Sequence, residues 1–111
     1  MESIFEVTVY AYDRTDYLIR AESILCSSRK DAEDMADSLA SIYVKNEFQD
    51  EWDDYKESDL SRNFDDGSNL VSIKLQDKDI PEVTRLFIGV EQKQVFENVR
   101  SYLDDRIEKK H

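Results

Sequence analysis

The stretch at residues 81–95, Pro81-Glu82-Val83-Thr84-Arg85-Leu86-Phe87-Ile88-Gly89-Val90-Glu91-Gln92-Lys93-Gln94-Val95, admits two readings, and the fold depends on the choice. As a helix begun by Pro81, it sets Val83, Leu86, Phe87 and Val90 on one side. The apolar residues beyond, Val95, Val99 and Leu103, then fall on the opposite side of the same helix and have no common core to enter. As a strand, it lines one face with Leu86, Ile88 and Val90 and turns Phe87 to the other. A separate helix then follows from about Lys93 to Lys109. Its stripe is Val95, Phe96, Val99, Leu103 and Ile107, and Lys109 and Lys110 suit its C-terminal dipole. The strand reading lets both apolar stripes reach one core, and it is the one adopted.

Outward from this strand the same tests apply. Asp65-Asp66-Gly67 marks a turn, after which Val71, Ile73 and Leu75 alternate with Ser72, Lys74 and Gln76, the period of a half-buried strand. Near the N-terminus, Phe5, Val7, Val9 and Ala11 alternate with Glu6, Thr8, Tyr10 and Tyr12. A turn at Asp13-Arg14-Thr15-Asp16 leads to a second strand from Tyr17 to Cys26, whose alternation changes phase at Ser23 as a β-bulge would cause. Ser28 reads as a helix N-cap with Asp31 in the first turn, and Ala32, Met35, Ala36, Leu39, Ile42 and Tyr43 repeat at helical spacing. Val44, Phe48, Trp52 and Tyr55 lie on the other side of that helix, so either the chain bends near Lys45 to Glu47 or the helix carries a second apolar face. The expected fold is a two-layer α+β domain: a four-stranded, mainly antiparallel sheet with two helices on one face, in the order β-β-α-β-β-α. It spans residues 1–111 as a single domain, with an acidic, aromatic-containing connection at about 46–68. The uncovered sheet face would carry Tyr10 and Tyr12.

Composition sets the class of function. The chain has 111 residues, 40% of them apolar and 37% charged, with 26 acidic against 15 basic residues and a net charge of −11. It has enough apolar residues to bury a core, so a folded domain is expected rather than a disordered chain. The whole negative excess lies in residues 1–66, since residues 67–111 hold eight acidic and eight basic residues. Such a surface disfavours nucleic acid and anionic lipid as direct ligands, because those require Lys and Arg to displace counterions. The first twelve residues lack the basic segment and apolar core of a signal peptide, no run approaches a membrane span, and Cys26 is the only cysteine. A cytoplasmic protein without disulfides or a zinc site is expected.

Motifs for chemistry are missing. The one histidine is His111 at the very end, which leaves no Ser-His or Cys-His couple, and Gly67 and Gly89 stand alone rather than in a phosphate-binding loop. Asp59, Ser61, Asn63 and Asp65 alternate like the oxygen ligands of a calcium loop. Phe64 and Leu70, however, occupy the places of the required glycine and bidentate glutamate. Cys26 reads as a small packed residue. No catalytic residue, cofactor or metal site is therefore predicted.

The segment from Asp50 to Asp66 carries eight carboxylates, Asp50, Glu51, Asp53, Asp54, Glu57, Asp59, Asp65 and Asp66, against Lys56 and Arg62. Among them stand Trp52, Tyr55 and Phe64, residue types that anchor interface cores. On the first helix Glu33 and Asp37 are one turn apart with Asp34 beside them, so they share a face. Together these residues predict a surface for a basic partner. In size and charge the chain resembles the small acidic inhibitors of phages and plasmids, the anti-CRISPR and DNA-mimic class. That resemblance implies a non-catalytic inhibitor whose carboxylates stand in for DNA phosphates in the Lys- and Arg-rich groove of a nucleic-acid-processing protein such as a nuclease. Two alternatives use the same sequence differently. One is an immunity protein or antitoxin against a cationic nuclease. The other is a structural or adaptor domain that forms a homodimer through Tyr10 and Tyr12 or through Val44, Phe48 and Trp52.

Overall fold

Three runs of alternating apolar residues, in β1, β5 and β4, lie side by side and turn their apolar sides to one helix. The computed structural model describes residues 3–47, 55–67, 69–95, 103 and 106. Strands β1 (Ser3–Tyr12) and β2 (Leu18–Cys26) form a hairpin, followed by helix α1 (Arg29–Ile42), which runs into a π-helical turn at Tyr43–Glu47. A 3-10 turn at Glu57–Asp59 precedes β3 (Ser61–Asp66), β4 (Asn69–Gln76) and β5 (Thr84–Gln94). The five strands make one sheet in the order β2-β1-β5-β4-β3, with every neighbouring pair antiparallel.

Register brings the core together. Val90 pairs with both Val7 and Val71, Ile88 with Val9 and Ile73, and Leu86 with Ala11 and Leu75, so nine apolar side chains share one face in three rows. All nine are buried. Each contributes about 1.5–3 kcal/mol when fully withdrawn from water, the alanine less. Helix α1 packs on this face through Ala32, Ala36 and Ala40, which are one turn apart and fully buried. Their small side chains let the helix axis approach the sheet closely, and Leu39 fills the flank. The helix starts where its cap residue predicts: the Ser28 side chain accepts the backbone N–H of Asp31 at 3.1 Å.

Several expectations are corrected. One sheet of five strands with a single helix among the described residues stands where four strands and two helices are predicted. The fifth strand is β3, which forms out of the predicted acidic connection. Strand β5 continues to Gln94, so the second helix does not start at Lys93. Beyond Val95 only Leu103 and Arg106 are described, both with helical backbone, and the rest of that predicted helix lies outside the described residues.

The opposed stripes of the first helix are reconciled at its end. A π-turn holds one more residue per turn than an α-helix, which rotates the chain by about 100°. Tyr43 and Val44 therefore both reach the core. Phe48 and Trp52 lie outside the described residues.

The bulges also sit elsewhere than Ser23. Ala11 pairs with Arg20 and Tyr12 with Leu18, which makes Ile19 an extra residue in β2. Leu75 pairs with Leu86 and Gln76 with Thr84, which makes Arg85 an extra residue in β5. No helix among the described residues is long and apolar enough to cross a membrane.

Candidate partner-binding surface

Helix α1 and edge strand β3 are linked by side-chain ion pairs and carry most of the predicted acidic residues that are described. The Arg62 Nε on β3 donates to Asp37 Oδ1 on α1 at 2.7 Å, and Arg29 at the start of α1 donates to Glu33 at 2.7 Å and reaches Asp65 on β3 at 4.0 Å. Next to Glu33, Asp34 pairs with Lys30, one helix turn earlier, at 3.7 Å. At the far end of the helix Glu57 accepts the Ser41 hydroxyl and meets Lys45 at 3.2 Å. The Ser41 hydroxyl and then the Lys45 ammonium hold the Glu57 carboxyl below its ordinary range. Glu33, Asp34, Asp37, Glu57 and Asp65 thus lie along one flank, each with a cation of the same chain beside it.

Phe64 gives this flank an apolar centre. Alternation along β3 puts it on the same side of the sheet as Arg62, which reaches the helix. Yet it is 67% exposed. An edge strand has no neighbour on its outer side, so a large side chain at Phe64 remains open to solvent next to Asp65. Asp65 has a left-handed backbone, φ 57°, and Gly67 follows with φ 64°, so the chain turns sharply into β4 at this point. Asp66 ends β3 opposite Asn69.

Other predicted residues do not join the flank. Tyr55 is only 6% exposed: it belongs to the core, its hydroxyl accepts the backbone N–H of Lys78 at 3.1 Å, and the Lys78 ammonium lies 4.9 Å from its ring centre. The sequence reading as a surface anchor is corrected to a packing role. Asp59 caps its own 3-10 turn by accepting the Lys56 backbone N–H at 2.8 Å, which keeps its carboxyl below the ordinary range, and it meets Lys78 at 3.6 Å. Asp50, Glu51, Trp52, Asp53 and Asp54 lie outside the described residues.

A buried polar cluster at the end of the sheet is absent from the sequence reading. As the extra residue of its bulge, Arg85 leaves the alternation of β5 and turns to Asp77, donating from Nη1 to Oδ2 at 3.1 Å and from Nε to the Tyr12 carbonyl at 3.0 Å. Both side chains are at most 2% exposed. Asp77 Oδ1 also accepts the backbone N–H groups of Asp79 and Ile80, at 2.9 and 3.0 Å, and Arg14 approaches its other oxygen at 3.6 Å. The backbone N–H of Ile80 is the largest cause that keeps the Asp77 carboxyl below its ordinary range; Asp79, Arg85 and Arg14 act in the same direction. Both oxygens of this carboxylate are thus engaged, which ties the β1–β2 turn to the β4–β5 turn. The signal in the sequence is a charged residue adjoining the apolar run Leu86 to Val90, where a strand of regular pleat would need a solvent-facing position.

Comparisons with protein-family models, with curated proteins and with solved structures find no match to this chain.

Proposed function

We propose that this chain is a non-catalytic cytoplasmic inhibitor that occupies the basic groove of a nucleic-acid-processing protein, in the manner of an anti-CRISPR protein or DNA mimic. The flank of α1 and β3 is its docking surface. The observation that carries the reading is Phe64, exposed on an edge strand with Asp65 beside it and with Glu33, Asp34 and Asp37 along the adjoining helix. Carboxylates of this flank speed the approach of a cationic partner, and Phe64, once covered by that partner, supplies the affinity that screened charges do not. Arginines and lysines of the partner would displace Arg29, Lys30 and Arg62 from these carboxylates. The net charge of −11 supplies the long-range attraction. An immunity protein against a cationic nuclease would use the same flank and differ only in its target.

The test compares the wild type with the variant Phe64→Ser, Asp34→Lys as bait in lysate, at low and moderate salt. Both positions are exposed, so folding should be retained, as far-UV circular dichroism would verify. The expected result is a basic nucleic-acid enzyme held by the wild type, more weakly at higher salt, and lost with the variant. Equal retention by both baits would overturn the assignment of this flank.

A further inference from the structure

The two edges of the sheet are built differently, and the difference points to a second surface. Edge strand β3 is six residues long, charged at Arg62, Asp65 and Asp66, and broken by the left-handed backbone at Asp65. Short, charged, irregular edges resist pairing with another chain. Strand β2 at the other edge has nine residues, contains no proline or lysine, and exposes Leu18 by 52% and Leu25 by 62%, with Tyr17 just before it at 72%. Its outer side has no neighbouring strand among the described residues.

We infer that β2 pairs antiparallel with β2 of a second copy of this chain, joining two five-stranded sheets across a two-fold axis. The register follows from hydrogen bonding and charge. When a strand pairs with itself antiparallel, facing residues turn their N–H and C=O groups either both toward the partner or both away from it, so they are an even number of positions apart. Three such registers overlap the nine-residue strand by about seven residues or more. One is centred on Glu22 and sets Glu22 against its own copy. One is centred on Ser23 and leaves Arg20 facing Cys26 and Glu22 facing Ile24 of the second copy. The third is centred on Ala21. It sets Arg20 against Glu22 of the second copy, twice by symmetry. Only this register matches opposite charges, and it places the two smallest side chains, Ala21 and its copy, on the axis. Within one chain Arg20 and Glu22 lie 3.9 Å apart on the same side of the strand, and the Arg20 guanidinium also lies 5.8 Å from the Tyr43 ring centre. The bulge at Ile19 falls toward the two ends of the pairing and leaves its centre regular.

This inference is independent of the acidic flank, which belongs to the opposite edge. Its test is sedimentation equilibrium of the full chain at physiological salt, with the single variants Arg20→Glu and Glu22→Arg. The wild type should show a concentration-dependent dimer. Each variant alone faces like charges at both sites and should dimerise about tenfold more weakly or worse. Mixed in equal amounts, the two variants face opposite charges again and should form a heterodimer close to wild-type strength. Ala21→Lys, at an exposed position on the axis, should also give a folded monomer. A monomeric wild type at high micromolar concentration would overturn the proposal, as would a dimer indifferent to these substitutions. Variants that weaken alone but fail to recombine would overturn the register.

Discussion

At the scale of single residues, Arg85 shows how a charge enters a core. Reading the pleat alone sends it to solvent, since Leu86, Ile88 and Val90 face inward. One inserted position at the bulge redirects it to Asp77, where the guanidinium and the carboxylate neutralise each other out of water. Removing one partner of such a pair leaves a buried charge. Arg85→Met should therefore lower stability by about 3 kcal/mol, toward the lower end for broken buried pairs because Arg14 and two backbone N–H groups still serve Asp77. Against a total of roughly 5–15 kcal/mol this is a large share, and the midpoint of urea unfolding should fall clearly. An unchanged midpoint would mean that the pair contributes nothing net. Tyr55 teaches the converse: an aromatic among carboxylates reads as an exposed anchor, yet its ring fills the core and its hydroxyl accepts the Lys78 amide. Phe64, in the same acidic segment, is the aromatic left outside among the described residues.

At the scale of elements, legibility followed burial. Strands β1, β4 and the first half of β5 are written in alternation because one side of each faces α1, and Ser28 announces the helix because a cap has a chemical signature. Strand β3 carries no such mark: Ser61, Arg62, Asn63, Phe64 and Asp65 are all exposed, so no side-chain period separates it from a loop. Its pairing with β4 is a matter of backbone hydrogen bonds. The end of β5 is similar, since Glu91, Gln92, Lys93 and Gln94 read as the start of something polar while their backbone pairs with Ser3 to Glu6 of β1. The π-turn is invisible for another reason: it settles a conflict between two apolar stripes that sequence can state but not resolve.

The turns make a prediction of their own. Asp13 accepts the backbone N–H groups of Thr15 and Tyr17 at 2.8 and 3.0 Å in the β1–β2 turn, with the Thr15 hydroxyl as the largest cause that lowers its pKa. Asp59 and Asp77 serve their turns in the same manner, and their carboxyls too are lowered. In the unfolded chain these groups take up protons near the ordinary value of about 4, before the folded protein does. Their stabilisation is therefore present above that pH and is lost as pH falls through the lower folded values. Thermal unfolding followed from pH 6 to pH 2, a range set about that value, should show a melting temperature that drops below pH 4. Asp13→Asn should flatten part of the fall. A melting temperature that rises on acidification through this range would show that relief of negative repulsion outweighs the turn carboxylates.

At the scale of the whole molecule, the two edges of one sheet are built differently. The edge at β3 adjoins the acidic flank of α1, and the edge at β2 is apolar, long and neutral. A dimer built on β2 would carry two acidic flanks at its far ends, and so could hold two copies of a basic partner. The size and negative charge of the chain, plain from composition, are what suggest the proposed class of partner. Where the surface lies needed the fold, because Asp37 and Arg62 are 25 positions apart in sequence and meet only when β3 pairs beside the helix.

The claim that the flank occupies a nucleic-acid groove is tested most directly by elution. Partner captured on the immobilised wild-type protein would be washed with short duplex DNA, or with RNA, at constant ionic strength, and the released protein measured. Competition for one groove predicts release in proportion to added nucleic acid, with no release by an uncharged polymer. Partner that stays on the protein while binding nucleic acid as well would contradict the account.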